Sequence, residues 1–231
     1  MATYYVSATT GHDSVDGSAP VPDGAGAGPK ATIGAAENLA QSAGDIVYIA
    51  PGTYRETVTH GYSGTAANPI YFIGDPDCEI FGAYSTVAQQ RVTPGIVRIT
   101  AAGTDEIGDD THGAGIINTS GKDYLIWKNV HVDGIVSGIN AYNDRNTGYG
   151  FRASSITDNL QTINCMAQNL GYGYYLVMDA VDCVAYGCTL YGFYLCGEVR
   201  NSISFGSYYG SSQCDLIINS ILHGQIYASY F

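Results

Sequence analysis

The densest group of residues able to do acid–base chemistry is Asp105, Glu106, Asp109 and Asp110, with His112 beside them. Glycoside hydrolysis needs two carboxylates, about 5–5.5 Å apart in retaining enzymes and about 6.5–9.5 Å apart in inverting ones. This group sits in a Gly- and Thr-rich loop, and loops on a rigid frame are where function concentrates. Adjacent loop carboxylates are more often simply solvated, and the group lacks the spaced Asp-x-Asp-x-Asp-Gly order of a calcium loop. A second candidate, for contact with a sugar, is Asp144 and Arg145 with Tyr142 and Tyr149 around them. Such an acid–base pair is more often a surface ion pair. Asp75 and Asp77, with Glu79 close by, and Asp13 and Asp16 near the start are the residues to weigh for a metal. Both groups read first as turn aspartates, favoured for their local hydrogen bonds.

Other chemistries are excluded. No G-x-S-x-G elbow, G-x-G-x-x-G or P-loop occurs. His12, His60, His112, His131 and His223 lie far apart, with no ligand spacing. Cys78, Cys165, Cys183, Cys188, Cys196 and Cys214 form no CxxC pair, so a zinc finger is not expected. Five of the six follow residue 160 in apolar stretches and read as small buried hydrophobes. No catalytic residue is therefore assigned. The cofactor expectation is none, with calcium the one ion the turn aspartates could take. Tyrosines crowd the C-terminal half, among them Tyr142, Tyr149, Tyr172, Tyr174, Tyr175, Tyr186, Tyr191, Tyr194, Tyr208 and Tyr209. They suit sugar stacking or a protein interface. They equally suit packing along a repetitive frame, and both uses stay open.

The frame that holds these residues is legible from composition. Of 231 residues, 45% are hydrophobic, 13% charged and 30 are glycine, which excludes disorder and helical bundles. Net charge is −12, and the nine lysines and arginines are scattered, which excludes a nucleic-acid binder. No apolar run is long enough for a membrane span. No secretion signal is recognised ahead of the Thr3–Val6 strand.

Residues 7–29 read as loop. Ile33, Ala36, Leu39 or Ala40, and Ala43 recur at helical spacing, with Thr32 as start cap and Gly44 as stop. After this helix come short runs: Asp45–Ala50, Ile70–Ile73, Ile80–Phe81, Ile96–Ile99, Ile116–Ile117 and Tyr124–Trp127. Several do not alternate, as in strands buried on both faces. One helix cannot supply βαβ crossovers, so the remaining parallel architecture is a coil of strands. A turn residue followed five positions later by glycine supports this: Asn129 with Gly134, Gly187 with Gly192, Asn201 with Gly206, and Asn219 with Gly224. Asn164 fits less well, because Asn169 stands in the glycine's place. Starts at 129, 164, 187, 201 and 219 give spacings of 35, 23, 14 and 18 residues, which bracket one solenoid coil.

Three segments carry a family resemblance. TYYVSATTGHDSVDG, SAGDIVYIAPGTYRETV and SGTAANPIYFIGDPD, covering roughly residues 3–77, resemble the opening signatures of right-handed parallel β-helix proteins. The resemblance implies an all-β, right-handed parallel β-helix with a short N-terminal capping helix. It implies one domain over 1–231: strand and loop 1–29, cap 30–44, then coils 45–231 with insertions near 101–115 and 137–158. Pectate-lyase-like lyases and glycosidases resemble the chain, and so do the virion proteins of tailed bacteriophages. A lyase would need calcium and a basic residue beside a uronate. The reading preferred on sequence is a non-catalytic virion spike, fibre or capsid decoration, made in host cytoplasm. It would bind other virion proteins or a host surface polysaccharide. The apolar C-terminal run Gln225–Phe231 implies cover by another chain or by further sequence, and the resemblance to phage spikes implies a homotrimer. The alternative is an extracellular lyase or glycoside hydrolase acting on an acidic polysaccharide.

Overall fold

Short apolar runs separated by residues that tolerate left-handed backbone can turn at each gap and return above their own start. The computed structural model, which describes all residues except 83, 86, 87, 89, 101–114, 135–147 and 231, shows this arrangement. One sheet stacks β1 (Thr3–Val6), β2 (Ile46–Ile49), β5 (Ile70–Gly74), β10 (Leu125–Lys128), β13 (Leu160–Ile163), β16 (Asp179–Val181), β19 (Glu198–Arg200) and β21 (Leu216–Ile218). A second stacks β3 (Gly52–Arg55), β8 (Val97–Thr100), β11 (His131–Asp133), β14 (Met166–Gln168), β17 (Val184–Tyr186) and the first part of β20 (Ile203–Ser212). A third stacks β4 (Val58–Thr59), β9 (Gly115–Asn118), β12 (Tyr149–Arg152), β15 (Tyr172–Tyr175), β18 (Tyr191–Tyr194) and the last part of β20. The second and third sheets join through β20, which β22 (Ile221–Tyr230) follows in parallel. A small antiparallel hairpin, β6 (Tyr84–Ser85) with β7 (Gln90–Arg91), stands apart. The fold is a right-handed parallel β-helix.

The corners explain the coil. Between the first and second sheets, Asn129, Asn164, Asp182, Asn201 and Asn219 stack with φ of 57°, 51°, 55°, 50° and 53°. The Asn164 amide donates to Asn129 Oδ1 at 3.0 Å, and Asn129 donates to the Gly74 carbonyl at 3.2 Å. These bonds satisfy amides along the stack. Gly134, Asn169, Gly187 and Gly206 share the next corner. At Gly134 a Cβ would lie 2.1 Å from the Asn169 carbonyl oxygen, so only glycine fits there.

This corrects the sequence pairing. Gly187 closes the corner opened by Asp182, while Gly192 lies inside β18 and Gly224 inside β22. Asn169, with φ of 56°, takes the glycine's place as a corner residue in its own right. The corners at 164, 182, 201 and 219 are then 18, 19 and 18 residues apart. The sequence pattern admitted only asparagine and glycine, and aspartate also tolerates this conformation. A third corner holds Leu176, Leu195 and Gln213 at φ of 56°, 53° and 52°.

The capping helix is shorter than its periodicity suggests. Helix α1 spans Ile33–Glu37, and Thr32 Oγ1 accepts from the Ala35 N–H as expected. It stops at Asn38, whose side chain bonds the Gly34 carbonyl and competes with further helix. Glu56 accepts from the Ile33 and Gly34 N–H groups at 2.8 Å each, tying the helix to β3. Ile33, Ala36 and Ala40 are buried over the first coil. The expected strand at Ile80–Phe81 is a turn instead, because the Asp75 carboxylate takes the N–H groups of Glu79, Ile80 and Phe81. The insertion expected over 137–158 contains β12, which belongs to the third sheet.

Inside the coil, like residues stack. Phe72 lies on Trp127 at 4.6 Å between ring centroids. Phe151, Tyr174 and Phe193 stack at 5.1 and 4.8 Å. The Trp127 indole donates to His60 Nε2 at 3.0 Å, and His60 Nδ1 faces Glu37 of the cap at 3.7 Å.

Asn164→Ala should lower stability by about 1–2 kcal/mol through left-handed strain, a fall of about 2–8 °C in Tm. Asn164→Gly should cost less, losing only the amide bond. Paired thermal unfolding curves check the order of the two.

Candidate functional site

Four tetrapeptides of one pattern enter the third sheet: Tyr149-Gly-Phe-Arg152, Tyr172-Gly-Tyr-Tyr175, Tyr191-Gly-Phe-Tyr194 and Tyr209-Gly-Ser-Ser212. The first and last residues of the first three face outward, and the middle two face the core. The glycine is obligatory. A Cβ at Gly150 or Gly173 would meet the carbonyl oxygen of the glycine one coil on at 2.7 Å. At Gly192 it would reach Ser204 Oγ at 2.2 Å. With no side chain there, the coils close up and the outward tyrosines fall into register.

The outcome is a tyrosine terrace. Tyr149, Tyr172, Tyr191 and Tyr209 stack with centroids 4.7, 5.6 and 4.8 Å apart and interplanar angles of 16–20°. Tyr175 and Tyr194 form a second column 5.7 Å apart, against the first. Because the rings cover one another's faces, the terrace offers solvent mainly ring edges and hydroxyls. The phenols of Tyr149, Tyr172, Tyr175 and Tyr194 bond no other described residue. Burial, then the neighbouring phenols, pushes Tyr172 up to about 12, and burial also raises Tyr149. Tyr149 and Tyr172 therefore keep their protons near neutral pH and can both donate and accept.

Arg152 heads the second column. Its guanidinium carbon lies 5.2 Å from the Tyr149 ring centroid, a cation–π geometry. Its Nε is buried without a hydrogen-bond partner among the described residues.

Tyr149 is thus placed at the head of the terrace, on a strand rather than in a loop. Tyr142, Asp144 and Arg145 lie outside the described residues, as do Asp105, Glu106, Asp109, Asp110 and His112. By chain connection, 101–114 leads from β8 into β9, and 135–147 leads from Gly134 to Gly148, ahead of β12. The first therefore leads into β9, which pairs with β12, and the second into β12 itself, the strand that begins the terrace. Tyr174 is a core residue, and Tyr186 stacks on Phe205 on the second sheet.

Of the proposed metal aspartates, Asp16 and Asp75 accept from nearby turn N–H groups, while Asp13 ties the N-terminal loop to the start of the capping helix. Asp13 accepts from the Ala31 and Thr32 N–H groups at 2.8 and 3.0 Å and from the Thr32 hydroxyl. Asp16 accepts twice from Ser18, which holds its carboxyl below the usual range. Asp75 is the acceptor described above. Asp77 lines a polar cavity of about 340 Å³ with Asp75, Glu79, Asn129 and Asn164. Among the described residues, no three His, Cys, Asp or Glu side chains converge as metal ligands do.

A cluster missed on sequence lies on the outer face of the second sheet. Buried Asp133 accepts from Gln168 Nε2 at 2.8 Å and Asn169 Nδ2 at 3.1 Å, with Arg98 Nε 3.9 Å away. Burial foremost lowers the neighbouring His131 imidazole. The alternation His131-Val132-Asp133 was a usable signal. Its pairing with Gln168, 35 residues on, is decided by register.

No family model matches the chain, and no curated protein does. Among solved structures, it is similar to the GH136 lacto-N-biosidase from Eubacterium ramulus, at 16% identity and TM-score 0.50, over 94% of this chain and 43% of that one. It is similar to a rhamnogalacturonan lyase at 16% identity and TM-score 0.49, over 95% and 56%. It is similar to the pectin methylesterase from Aspergillus niger at 16% identity and TM-score 0.48, over 91% and 82%. The chain spans about half the length of the first two. At these identities the likeness is one of fold alone.

The terrace has a titration signature. The folded pKa of Tyr172 lies above its unfolded value of 10.0. The folded state thus favours the neutral phenol, and that stabilisation is complete below pH 10 and lost as pH climbs to about 12. Alkaline unfolding followed by phenolate absorbance should show this loss in the wild type. It should be blunted in Tyr172→Phe.

Proposed function

We propose that the tyrosine terrace binds an extended polysaccharide, and that the chain is the glycan-binding β-helix of a protein acting on acidic carbohydrate. The observation that carries this is the column of neutral phenols repeating from coil to coil, headed by Arg152. A linear glycan repeats along its length, so a row of donors and acceptors at the strand interval of about 4.8 Å can meet successive hydroxyls. Covered ring faces make hydroxyl and edge contact, rather than face stacking, the mode of reading. Arg152 adds a cation suited to a uronate carboxylate. The solved β-helix at TM-score 0.50 is a glycosidase, which agrees with this reading.

The virion placement, with virion partners and a homotrimer, came from family resemblance. No described residue favours it over action on carbohydrate. Hydrolysis, lyase chemistry and a calcium requirement remain open to assay, with Asp105, Glu106, Asp109 and Asp110 as the loop carboxylates to substitute if turnover is found.

Calorimetric titration with sodium polygalacturonate and with a neutral glucan tests the reading. The wild type should bind the acidic chain. Tyr194→Phe, which removes one hydroxyl and keeps the ring, should weaken binding about fivefold, the value of one net hydrogen bond. Arg152→Gln should weaken the acidic ligand about tenfold or more and leave any neutral binding unchanged. Absence of binding to both glycans, or affinities unmoved by Tyr194→Phe and by Tyr172→Ala, would overturn the proposal.

A further inference from the structure

The interior of the coil holds two pairs of cysteines on consecutive turns: Cys165 beneath Cys183, and Cys196 beneath Cys214. All four are free thiols. The pairs differ in access. Cys165 and Cys183 are buried at 2% and 1% exposure in the middle of the solenoid. Cys196 is equally buried, whereas Cys214 is only half-buried.

The backbone holds Cys196 and Cys214 side by side. Leu195 N–H donates to the Ser212 carbonyl at 3.1 Å, and Asp215 N–H donates to the Cys196 carbonyl at 3.0 Å. These bonds bracket the pair on both sides, and both residues follow left-handed corners, at Leu195 and Gln213. Neighbouring strands run about 4.8 Å apart, inside the Cα separation of about 4.4–6.8 Å that a disulfide spans. Cys196 Sγ donates to the Tyr174 and Tyr194 carbonyls at 3.7 Å each, and Cys214 Sγ to the Phe193 and Ser212 carbonyls at 3.8 and 3.6 Å. The neighbouring Cys196 thiol lowers Cys214, while burial foremost raises Cys196. The more accessible sulfur is therefore also the better nucleophile.

We propose that Cys196 and Cys214 form a thiol–disulfide site that staples two successive coils beside the tyrosine terrace. The oxidant is a low-molecular-weight disulfide of the glutathione class. Cys214 thiolate attacks one sulfur of the oxidant, breaking its S–S bond and releasing one thiolate, which takes up a proton. A mixed disulfide on Cys214 remains. The Cys196 thiol then gives up its proton and attacks the Cys214 sulfur. The Cys196–Cys214 bond forms, and the second small thiol leaves. Two protein thiols are oxidised by two electrons, and one small disulfide is reduced to two thiols. The bond closes a loop between adjacent coils and restrains the turn that carries Tyr191 and Tyr194.

The test incubates the full folded chain with oxidised glutathione, quenches by alkylation, and maps the peptides by mass spectrometry. The expected result is loss of two of the six thiols, a cross-linked Cys196–Cys214 peptide, and a rise in Tm. Cys165 and Cys183 should remain alkylated. Cys196→Ser should stop the reaction at a stable glutathione adduct on Cys214. Three outcomes would overturn the proposal: all six thiols surviving, Cys165 joining Cys183 first, or the wild type stopping at the glutathione adduct. The same products from urea-unfolded chain at the same rate would also overturn it, since the folded stacking would then confer nothing.

Discussion

A left-handed residue at the same place in successive coils keeps this molecule in register. Each such corner turns the chain from one sheet into the next within one residue, so the strand after it starts above the strand one coil earlier. Asn129, Asn164, Asp182, Asn201 and Asn219 do this at one edge. The near-constant interval of 18–19 residues from Asn164 on is a consequence. A one-residue slip would turn every side chain of a strand to the opposite face. The interior stacks of Phe151, Tyr174 and Phe193 depend on this register, and so does the outward row of tyrosines.

The third sheet adds a steric condition. The glycines at 150, 173 and 192 sit where the next coil's backbone leaves no room for a Cβ. Their absence of side chain allows one residue of each tetrapeptide to fill the core and two to face outward. The terrace and the core are therefore built by the same four-residue unit. Stacking the outward rings withdraws their faces from solvent and raises the phenol pKa of Tyr172. The surface left is neutral, rich in hydroxyls and unlike the acidic average of a chain with net charge −12. An anionic glycan approaching the terrace meets Arg152 rather than a carboxylate among the described terrace residues.

Legibility in the sequence followed the range of the interactions. Thr32 could be read as a helix cap because its partner is three residues away. Asp16 and Asp75 could be read as turn residues for the same reason, whereas Asp13 bonds Ala31 and Thr32, 18 and 19 residues on, which no turn reading could supply. The asparagine corners were visible because their conformation is a single-residue property. Asp182, in the apolar run Ala180–Ala185, fell outside a pattern that admitted only asparagine and glycine at the corner. The Tyr-Gly units stood in plain view as a crowd of tyrosines, but the choice between core and surface for each ring was not local. Tyr174 points in and Tyr175 points out, and adjacent identical residues carry no mark of that difference. The cluster of Arg98, His131, Asp133 and Gln168 spans three strands, and no short pattern links its members.

By itself, the sequence determined the all-β coil, its N-terminal cap and the kind of residue at its corners, because these rest on backbone preferences acting over a few positions. Only the tertiary structure decided which tyrosines share a face, which cysteines lie one above another, and that Arg152 ends the tyrosine row. Those relations connect residues about 18 or more positions apart, across coils. Their geometry is set by hydrogen bonds between coils, which no single segment contains.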